Sequence, residues 1–175
     1  MQSVAPLTPM FDAVFHVPFG AIGVRLSNGS IGQLVYLPQG VEALPARSVI
    51  AKKLERQLRR YLHNPNAKFD VPLDEAGSPF QQRVWAAIAA IPSGEVRSYG
   101  QIARQVGSAP RAVGQACGAN WFPLVIPCHR VIAAGGIGGF GGTAPGQESE
   151  GDGFHLRVKR WLLSHEGAND ERLLA

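Results

Sequence analysis

The sequence has only two cysteines, Cys117 and Cys128, which are too few for a disulfide scaffold. Its five histidines and two cysteines show no metal-ligand spacing, so we expect no metal site. It lacks an apolar run of about 18 residues, the length that a membrane-spanning helix requires. No charged segment precedes an apolar core at the N-terminus, so no secretory signal is expected. These absences predict a protein of the reducing cytoplasm with no membrane partner.

The composition is that of a folded chain. Of its 175 residues, 45% are hydrophobic, which is enough for one large domain or two small ones. The net charge of +4 permits a polyanionic partner but does not prove one. A polar, proline-containing stretch from Pro65 to Gly77 is interpreted as a linker. We therefore predict an N-terminal α/β domain over residues 1–75 and a second domain over residues 78–175.

The N-terminal residues show short strand patterns. Asn28-Gly29 is a hairpin signal, because both residues can adopt positive φ. The strand candidates are residues 13–17, 22–26 and 32–37.

A basic segment follows these strands. From Arg47 to Arg60 there are six basic residues and one acid, Glu55. We interpret this segment as the solvated face of a helix rather than as a DNA contact. The opposite face would pack on the core through an apolar stripe of Val49, Leu54, Leu58, Tyr61 and Leu62.

The second domain is predicted to be mainly helical. Ser78-Pro79-Phe80-Gln81 has the pattern of a capping box, and Ser98-Tyr99-Gly100-Gln101 repeats it. A helix ending near Val106, a glycine-containing turn and a helix over residues 111–119 then indicate a helix-turn-helix, although a simple helical hairpin fits the same pattern. The last helix is nearly all small residues, a poor composition for helix stability that suits a surface in close contact with another helix or another molecule.

Cys128 separates an apolar run from a glycine-rich loop over residues 135–142. The thiolate is the reactive form of cysteine, and a free thiol near neutral pH is only a few per cent ionised. His129 and Arg130 are the nearest groups that could activate it. On spacing alone, a catalytic nucleophile and a buried structural cysteine are equally good interpretations.

The run Pro127-Cys128-His129-Arg130-Val131 resembles the active-site motif of the 6-O-methylguanine-DNA methyltransferases. The resemblance is strong over about residues 78–167 and weak over the first 75 residues. It implies an RNase H-like N-terminal domain and a C-terminal domain with a winged-helix-like helix-turn-helix. Further motifs of the family follow its order: FQQRVW at 80–85, IPSGE at 91–95, SYGQIA at 98–103, RAVG at 111–114, Asn120, and WLLSHEG at 161–167.

The resemblance implies DNA repair by direct reversal. The methyl or other alkyl group of 6-O-methylguanine would pass irreversibly to Cys128, so that each molecule acts once and needs no cofactor. Glu166 would accept a hydrogen bond from His129, and His129 would take the thiol proton through a water. Asn120 would tighten the turn before the acceptor cysteine. The partner would be double-stranded DNA containing alkylated guanine, bound by a monomer. Activity on 4-O-methylthymine, alkyl-size preference and cooperative DNA binding stay open.

The resemblance also implies how DNA is bound. The small-residue helix would enter the minor groove, which is only about 6 Å wide. Arg111 would fill the base stack after the alkylated nucleotide is extruded, and Tyr99 would rotate and hold that nucleotide. Other implied DNA contacts are Gly100, Ala112, Gly114, Gln115, Gln81 and Ser108. The implied substrate pocket consists of Tyr99, Val131, Phe140, Gly141 and Gly142.

The chain departs from the family in one region. Phe140 stands where tyrosine is usual, and Gly141 where some members have serine, which puts side-chain hydrogen bonds of that loop in doubt. The connection over residues 143–154 is longer than usual and carries three acids, so we expect a mobile surface loop away from DNA.

Three alternatives stay open. A non-catalytic protein that binds alkylated bases is disfavoured, because such relatives carry tryptophan at the nucleophile position. A Cys/His hydrolase unrelated to DNA would turn over and ignore DNA. A transcription factor is disfavoured because the last helix lacks the long polar side chains that read the major groove.

Overall fold

A computed structural model describes residues 10–139 and 152–174, without the side chains of Asp152 and Leu174. The chain divides into two compact units between Glu75 and Ala76. The architecture is mixed α/β, with a small antiparallel sheet in the first unit and four of the five described α-helices in the second. No described helix has the length and apolar character needed to cross a membrane.

The first unit contains a three-stranded antiparallel sheet in the order β1-β2-β3. Asn28 and Gly29 adopt φ values of 49° and 78° and form the tight turn between the second and third strands, as the Asn-Gly signal predicts. Val14, Ala21 and Leu37 contribute to a buried cluster on this sheet. The strands are β1, Ala13–Val17; β2, Gly20–Ser27; and β3, Ser30–Leu37.

Helix α1, Val49–His63, follows the sheet in the first unit. The Ser48 hydroxyl accepts a hydrogen bond from the Ala51 N–H at 3.1 Å and caps its first turn. Leu54, Leu58 and Tyr61 are buried, as the apolar stripe predicts. The stripe is wrong at Val49, which is 79% exposed because it is the first residue of the helix and its side chain falls short of the core.

The second unit contains the other four helices and a short parallel pair of strands, β4 with β5. Two 3-10 turns, Cys128–Arg130 and Glu171–Leu174, belong to this unit. The predicted helices before Cys128 are confirmed to within a residue or two at their ends. The elements are α2, Pro79–Ala89; β4, Arg97–Ser98; α3, Tyr99–Val106; α4, Pro110–Gly118; β5, Val131–Ile132; and α5, Asp152–His165.

Local capping fixes the starts of α2 and α3. The Ser78 and Ser98 hydroxyls accept hydrogen bonds from the N–H groups of Gln81 and Gln101, and each glutamine side chain accepts from the N–H of its serine. Both predicted capping boxes are therefore confirmed. Gly107 ends α3 in the left-handed conformation, with φ 69° and ψ 43°, which a residue with a side chain rarely adopts.

Helix α4 begins without such a cap. Its N-cap residue is Ala109, which offers no side-chain hydrogen bond. The helix is held instead by its neighbours: Val113 and Ala116 are buried, and the Trp85 indole N–H donates to the Ala116 carbonyl at 2.8 Å. Packing therefore stabilises a helix whose composition disfavours it.

We expect the caps to be measurable as a matched pair of substitutions. Ser78→Ala removes the cap of α2 and should lower the free energy of unfolding by about 1 kcal/mol. Ala109→Ser supplies the missing cap of α4 and should raise it by about 0.5–1 kcal/mol. Urea unfolding monitored by circular dichroism measures both changes. Equal effects of the same sign would contradict this account of the two helix starts.

Candidate functional site

The turn before Cys128 is fixed by one side chain. Asn120 donates through Nδ2 to the Ile126 carbonyl and accepts through Oδ1 from the Phe122 N–H, each at 2.9 Å. The Ile126 N–H also donates to the Phe122 carbonyl at 2.8 Å. Leu124, near the tip, has a φ of 75°, a conformation that is uncommon outside glycine and asparagine. The hydrogen bonds of Asn120 hold this turn and so set the position of the segment that carries Cys128.

Cys128 begins the 3-10 turn and is only 6% exposed. Burial raises the pKa of its thiol, whereas a hydrogen bond from Asn120 and the positive charge of Lys159 act in the opposite direction. The net direction is upward, so the resting group near neutral pH is a protonated thiol. Such a thiol needs a base before it can act as a nucleophile.

His129 follows Cys128 in the chain and is fully buried. Its Nε2 lies 2.9 Å from Glu166 Oε2. Burial lowers the pKa of His129, although the hydrogen bond and charge of Glu166 act against this. Burial alone would raise the pKa of Glu166, but hydrogen bonds and charges from His129 and Arg130 bring it well below its usual range. The pair therefore consists of a neutral imidazole and an ionised carboxylate.

The ionised carboxylate determines the tautomer of His129. A carboxylate only accepts hydrogen bonds, so Nε2 must carry the proton and donate it to Glu166. In a neutral imidazole the other nitrogen, Nδ1, then has a free lone pair. Nδ1 is buried and has no hydrogen-bond partner among the described residues. It is the nitrogen that can receive a proton.

Arg130 completes this arrangement. Its Nε donates to Glu166 Oε1 at 2.8 Å and its Nη2 to Oε2 at 2.9 Å, while Nη1 donates to the Ile91 carbonyl at 2.7 Å. This two-point ion pair holds the carboxylate in a fixed plane. Arg130 is thus engaged by Glu166 in an ion pair.

Lys159 is a site residue that the sequence reasoning missed. Its side chain is fully buried, and Nζ donates to the carbonyls of Val131 and Gly139, both at 2.8 Å. Burial lowers the pKa of Lys159 to about 8. A signal for it exists in the sequence: Lys159 lies two helical turns before Glu166, so both belong to one face of the same segment.

Tyr99 belongs to the same cluster. Its hydroxyl donates to the Gly139 carbonyl at 3.2 Å, and Lys159 Nζ lies 5.9 Å from the centre of its ring. Burial raises its pKa above the usual range, and the charges of Cys117 and Cys128 act in the same direction. Cys117 is half-buried; burial raises its pKa to about 12, and the charge of Cys128 adds to that rise. Tyr99, Cys117, Cys128 and Lys159 therefore interact electrostatically.

The implied DNA contacts are distributed over α2, α3 and α4. Arg111 and Gln115 are exposed on α4, and Ser108 is exposed in the preceding turn. The half-buried residues are Gly100, Ala112, Gly114 and Gln81; the Gln81 side chain is already engaged in the capping box of α2.

Gly114 distinguishes between the two explanations for the small residues of α4. A Cβ atom added at this glycine would meet no described atom within 4 Å outside the helix itself. Close packing within the described chain therefore does not require a glycine here. The open space suits a partner from outside.

The predicted pocket is described only in part. Val131 has a fully buried side chain, and its carbonyl accepts the hydrogen bond from Lys159. Phe140, Gly141 and Gly142 lie outside the described residues, as does most of the 143–154 connection. Within the described residues, no group of three His, Cys, Asp or Glu side chains could hold a metal ion.

Comparisons with known proteins place this geometry in context. Residues 79–168 match the family model described as 6-O-methylguanine DNA methyltransferase, DNA binding domain. A methylated-DNA--protein-cysteine methyltransferase from Mycobacterium bovis is 43% identical over 123 residues, which cover 69% of this chain and 74% of that protein. A methylated-DNA--protein-cysteine methyltransferase from Methanosarcina acetivorans is 34% identical over 169 residues, which cover 91% of this chain and 99% of that protein. The crystal structure of Mycobacterium tuberculosis OGT in complex with DNA is similar to this structure with a TM-score of 0.70 and 36% sequence identity. The match covers 91% of this chain and 93% of that chain.

The charge of Lys159 should favour ionisation of the Cys128 thiol. In a Cys117→Ala background, which leaves Cys128 as the only thiol, Lys159→Met should move the pH profile of Cys128 alkylation by iodoacetamide to higher pH. The reason is that Lys159 is positively charged below a pH of about 8 and then favours the thiolate. Mass spectrometry over pH 6–10 measures the rate. Arg157→Met, on the exposed side of α5, is the control. An unchanged profile for Lys159→Met would contradict the coupling.

Proposed function

Because the chain belongs to the 6-O-methylguanine-DNA methyltransferase family, we propose that it repairs alkylated guanine in DNA by taking the alkyl group onto Cys128. The observation that carries this proposal is the buried pair of His129 and Glu166 beside the acceptor thiol, with its partner atoms 2.9 Å apart. It supplies a neutral base, with a free lone pair on Nδ1, to a cysteine that burial keeps protonated.

The proposed transfer has two linked steps. First, the Cys128 proton moves to His129 Nδ1 through a bridging water, and Glu166 stabilises the imidazolium that forms. The thiolate then attacks the alkyl carbon, so the S–C bond forms while the bond from carbon to the guanine oxygen breaks. The electron pair of that bond stays on the guanine. The guanine anion then takes up one proton, which replaces the proton that the thiol lost, and unmodified guanine is restored. Because the new thioether does not hydrolyse, each molecule acts once.

Arg130 and Lys159 assist by charge and position. Arg130 keeps Glu166 ionised and oriented, so that the carboxylate can stabilise a positive His129. Lys159 favours the thiolate through its charge and holds the carbonyls of Val131 and Gly139. Tyr99 hydrogen-bonds to the same Gly139 carbonyl, which places its ring where it could hold the extruded nucleotide.

We also propose that α3 and α4 bind duplex DNA as a helix-turn-helix, with α4 in the minor groove. The open space at Gly114 and the exposed Arg111 at the start of α4 support this assignment. Charge supports it as well: from residue 96 to residue 147 the sequence has no acid, and Arg104 and Arg111 are exposed on α3 and α4. A duplex hides the alkylated oxygen, so the base must be flipped out before Cys128 can reach it.

The finer architecture belongs to the same proposal. The RNase H-like description of residues 1–75 and the winged-helix description of residues 78–175 rest on the family resemblance; the antiparallel order β1-β2-β3 before α1 is compatible with the former. We assign DNA binding and alkyl transfer to the second domain. We further propose a cytoplasmic monomer.

The acceptor assignment has a direct test. After incubation with DNA containing 6-O-methylguanine, the intact mass should rise by one methyl, about 14 Da, and then stop, because the nucleophile is consumed. Cys128→Ser should gain no mass while still binding the DNA. Cys117→Ala is the matched control and should behave like the wild type. Repeated turnover, or methylation of Cys117, would sink the proposal.

Base extrusion predicts a difference between two substrates. Arg111→Ala should slow transfer from duplex DNA at least tenfold more than transfer from a free 6-O-alkylguanine base, because only the duplex requires flipping. Single-turnover rates on the two substrates provide the comparison. Arg60→Ala removes an exposed arginine from α1 and should change neither rate. Equal losses on both substrates would remove Arg111 from this role.

A further inference from the structure

Trp121 is an exposed aromatic residue that the proposed reaction does not use. Its side chain is 47% exposed, and only Met10 and Val49 are comparably exposed large apolar residues in the described chain. Met10 is the first described residue, and Val49 begins a helix. Trp121 lies instead between α4 and the acceptor cysteine. Tryptophan is highly buried on average, so an exposed one at this place is a candidate contact.

The backbone on both sides of Trp121 is fixed. Asn120 precedes it and bonds to the Ile126 carbonyl, and Phe122 follows it with a buried side chain and an N–H held by Asn120. The indole is therefore attached to a rigid turn. A rigidly attached aromatic ring loses little conformational entropy when it packs on a partner.

The position of Trp121 completes a surface. Arg111, Gln115 and Gly118 are exposed along α4 at the spacing of one helical face. Arg111 lies in the first turn, and Trp121 follows the C-terminal end, roughly 15 Å away along a helix that rises about 1.5 Å per residue. Between them this face carries one glutamine and otherwise small residues. A surface with an arginine at one end and an indole at the other suits a partner that offers both phosphates and apolar rings.

The charge around Trp121 identifies the class of partner. The acid-free stretch from residue 96 to residue 147 includes α3, α4 and the Trp121 turn. No carboxylate of this stretch would therefore repel a polyanion that binds here. Aromatic side chains within a positive groove commonly bind unpaired nucleic acid strands.

We propose that Trp121 is a DNA contact, packing its indole against a deoxyribose of the damaged strand beside the extruded nucleotide. The proposal rests on the function proposed above for the same unit. The damaged strand is favoured because Asn120 joins the Trp121 turn to the segment that carries Cys128: its side chain donates to the carbonyl of Ile126, two residues before that cysteine. A nucleotide that reaches Cys128 must bring its own strand close to this turn.

Binding measurements test the contact directly. In a Cys128→Ser background, which prevents transfer, Trp121→Ala should weaken binding to a duplex with 6-O-methylguanine roughly tenfold, since it removes the apolar contact. Trp121→Phe keeps a ring and should stay within about threefold. Val49→Ala removes an exposed apolar side chain from the first unit and should have no effect. Fluorescence anisotropy of labelled DNA measures the affinities.

Tryptophan emission provides a second measurement, which reports the contact in a protein that still binds the duplex. Addition of duplex should shift the emission of the Cys128→Ser protein to shorter wavelength, because the Trp121 indole leaves water. Trp121→Phe should abolish the shift, whereas Trp85 and Trp161 remain present in that variant. A shift of the same size in Trp121→Phe would overturn the proposal.

Transfer rates distinguish this inference from the proposed function. With Cys128 intact, Trp121→Ala should slow transfer from dilute duplex and leave the rate on free 6-O-methylguanine within twofold. Equal loss on the free base would assign Trp121 to the alkyl pocket and overturn the DNA contact. Unchanged duplex affinity with normal transfer would overturn it too, while leaving the proposed function intact. Absence of both transfer and DNA binding in the wild type would overturn both.

Discussion

The buried carboxylate of Glu166 is the group on which the rest of the site depends. It accepts two hydrogen bonds from Arg130 and one from His129, and it directly follows α5. Arg130 also bonds to the Ile91 carbonyl beyond α2, so one ionic cluster connects three segments of the second unit. Removal of one partner from such a cluster leaves an uncompensated buried charge, which typically costs about 3–5 kcal/mol. Stability and chemistry therefore depend on the same contact.

The electrostatics of the cluster suit the single use proposed for Cys128. Burial keeps Cys128 as a thiol and His129 as a neutral base, so both resting groups are uncharged. Charge separates only when the proton moves, and Glu166 and Lys159 are then placed to stabilise the imidazolium and the thiolate. A permanently ionised thiol would react with other electrophiles before it met its substrate. A protonated and buried thiol avoids that loss, because deprotonation and access to the alkyl group must coincide.

Local sequence signals predicted the three strands and the helix of the first unit and the first three helices of the second, but not β4, β5 or α5. Ser78 and Ser98 start helices through hydrogen bonds that span only three residues, so their patterns can be read without knowledge of the fold. The seven-residue spacing places Lys159 on the helix face of Glu166, but its hydrogen-bond partners could not be predicted locally, because they are carbonyls of Val131 and Gly139, at least 20 residues away in the chain. Val49 failed for a different reason: helical periodicity gives the face of a residue but not whether the core extends to the end of the helix. The candidate site residues Cys128, His129, Glu166 and Asn120 were predicted from the resemblance. The structure adds the hydrogen bond between His129 and Glu166 and the bonds by which Asn120 holds the turn before Cys128.

The composition of helix α4 is unfavourable for its own stability and is better explained by the proposed function. It lacks a side-chain cap, contains two glycines and packs through Val113, Ala116 and the Trp85 hydrogen bond. A better helix former at Gly114 would meet no clash in the described chain, so folding alone does not explain the glycine. The proposed DNA binding would explain it, since a helix that lies in a groove about 6 Å wide must present little beyond its backbone. The two large exposed side chains of that surface, Arg111 and Trp121, lie at its two ends, outside the stretch of small residues.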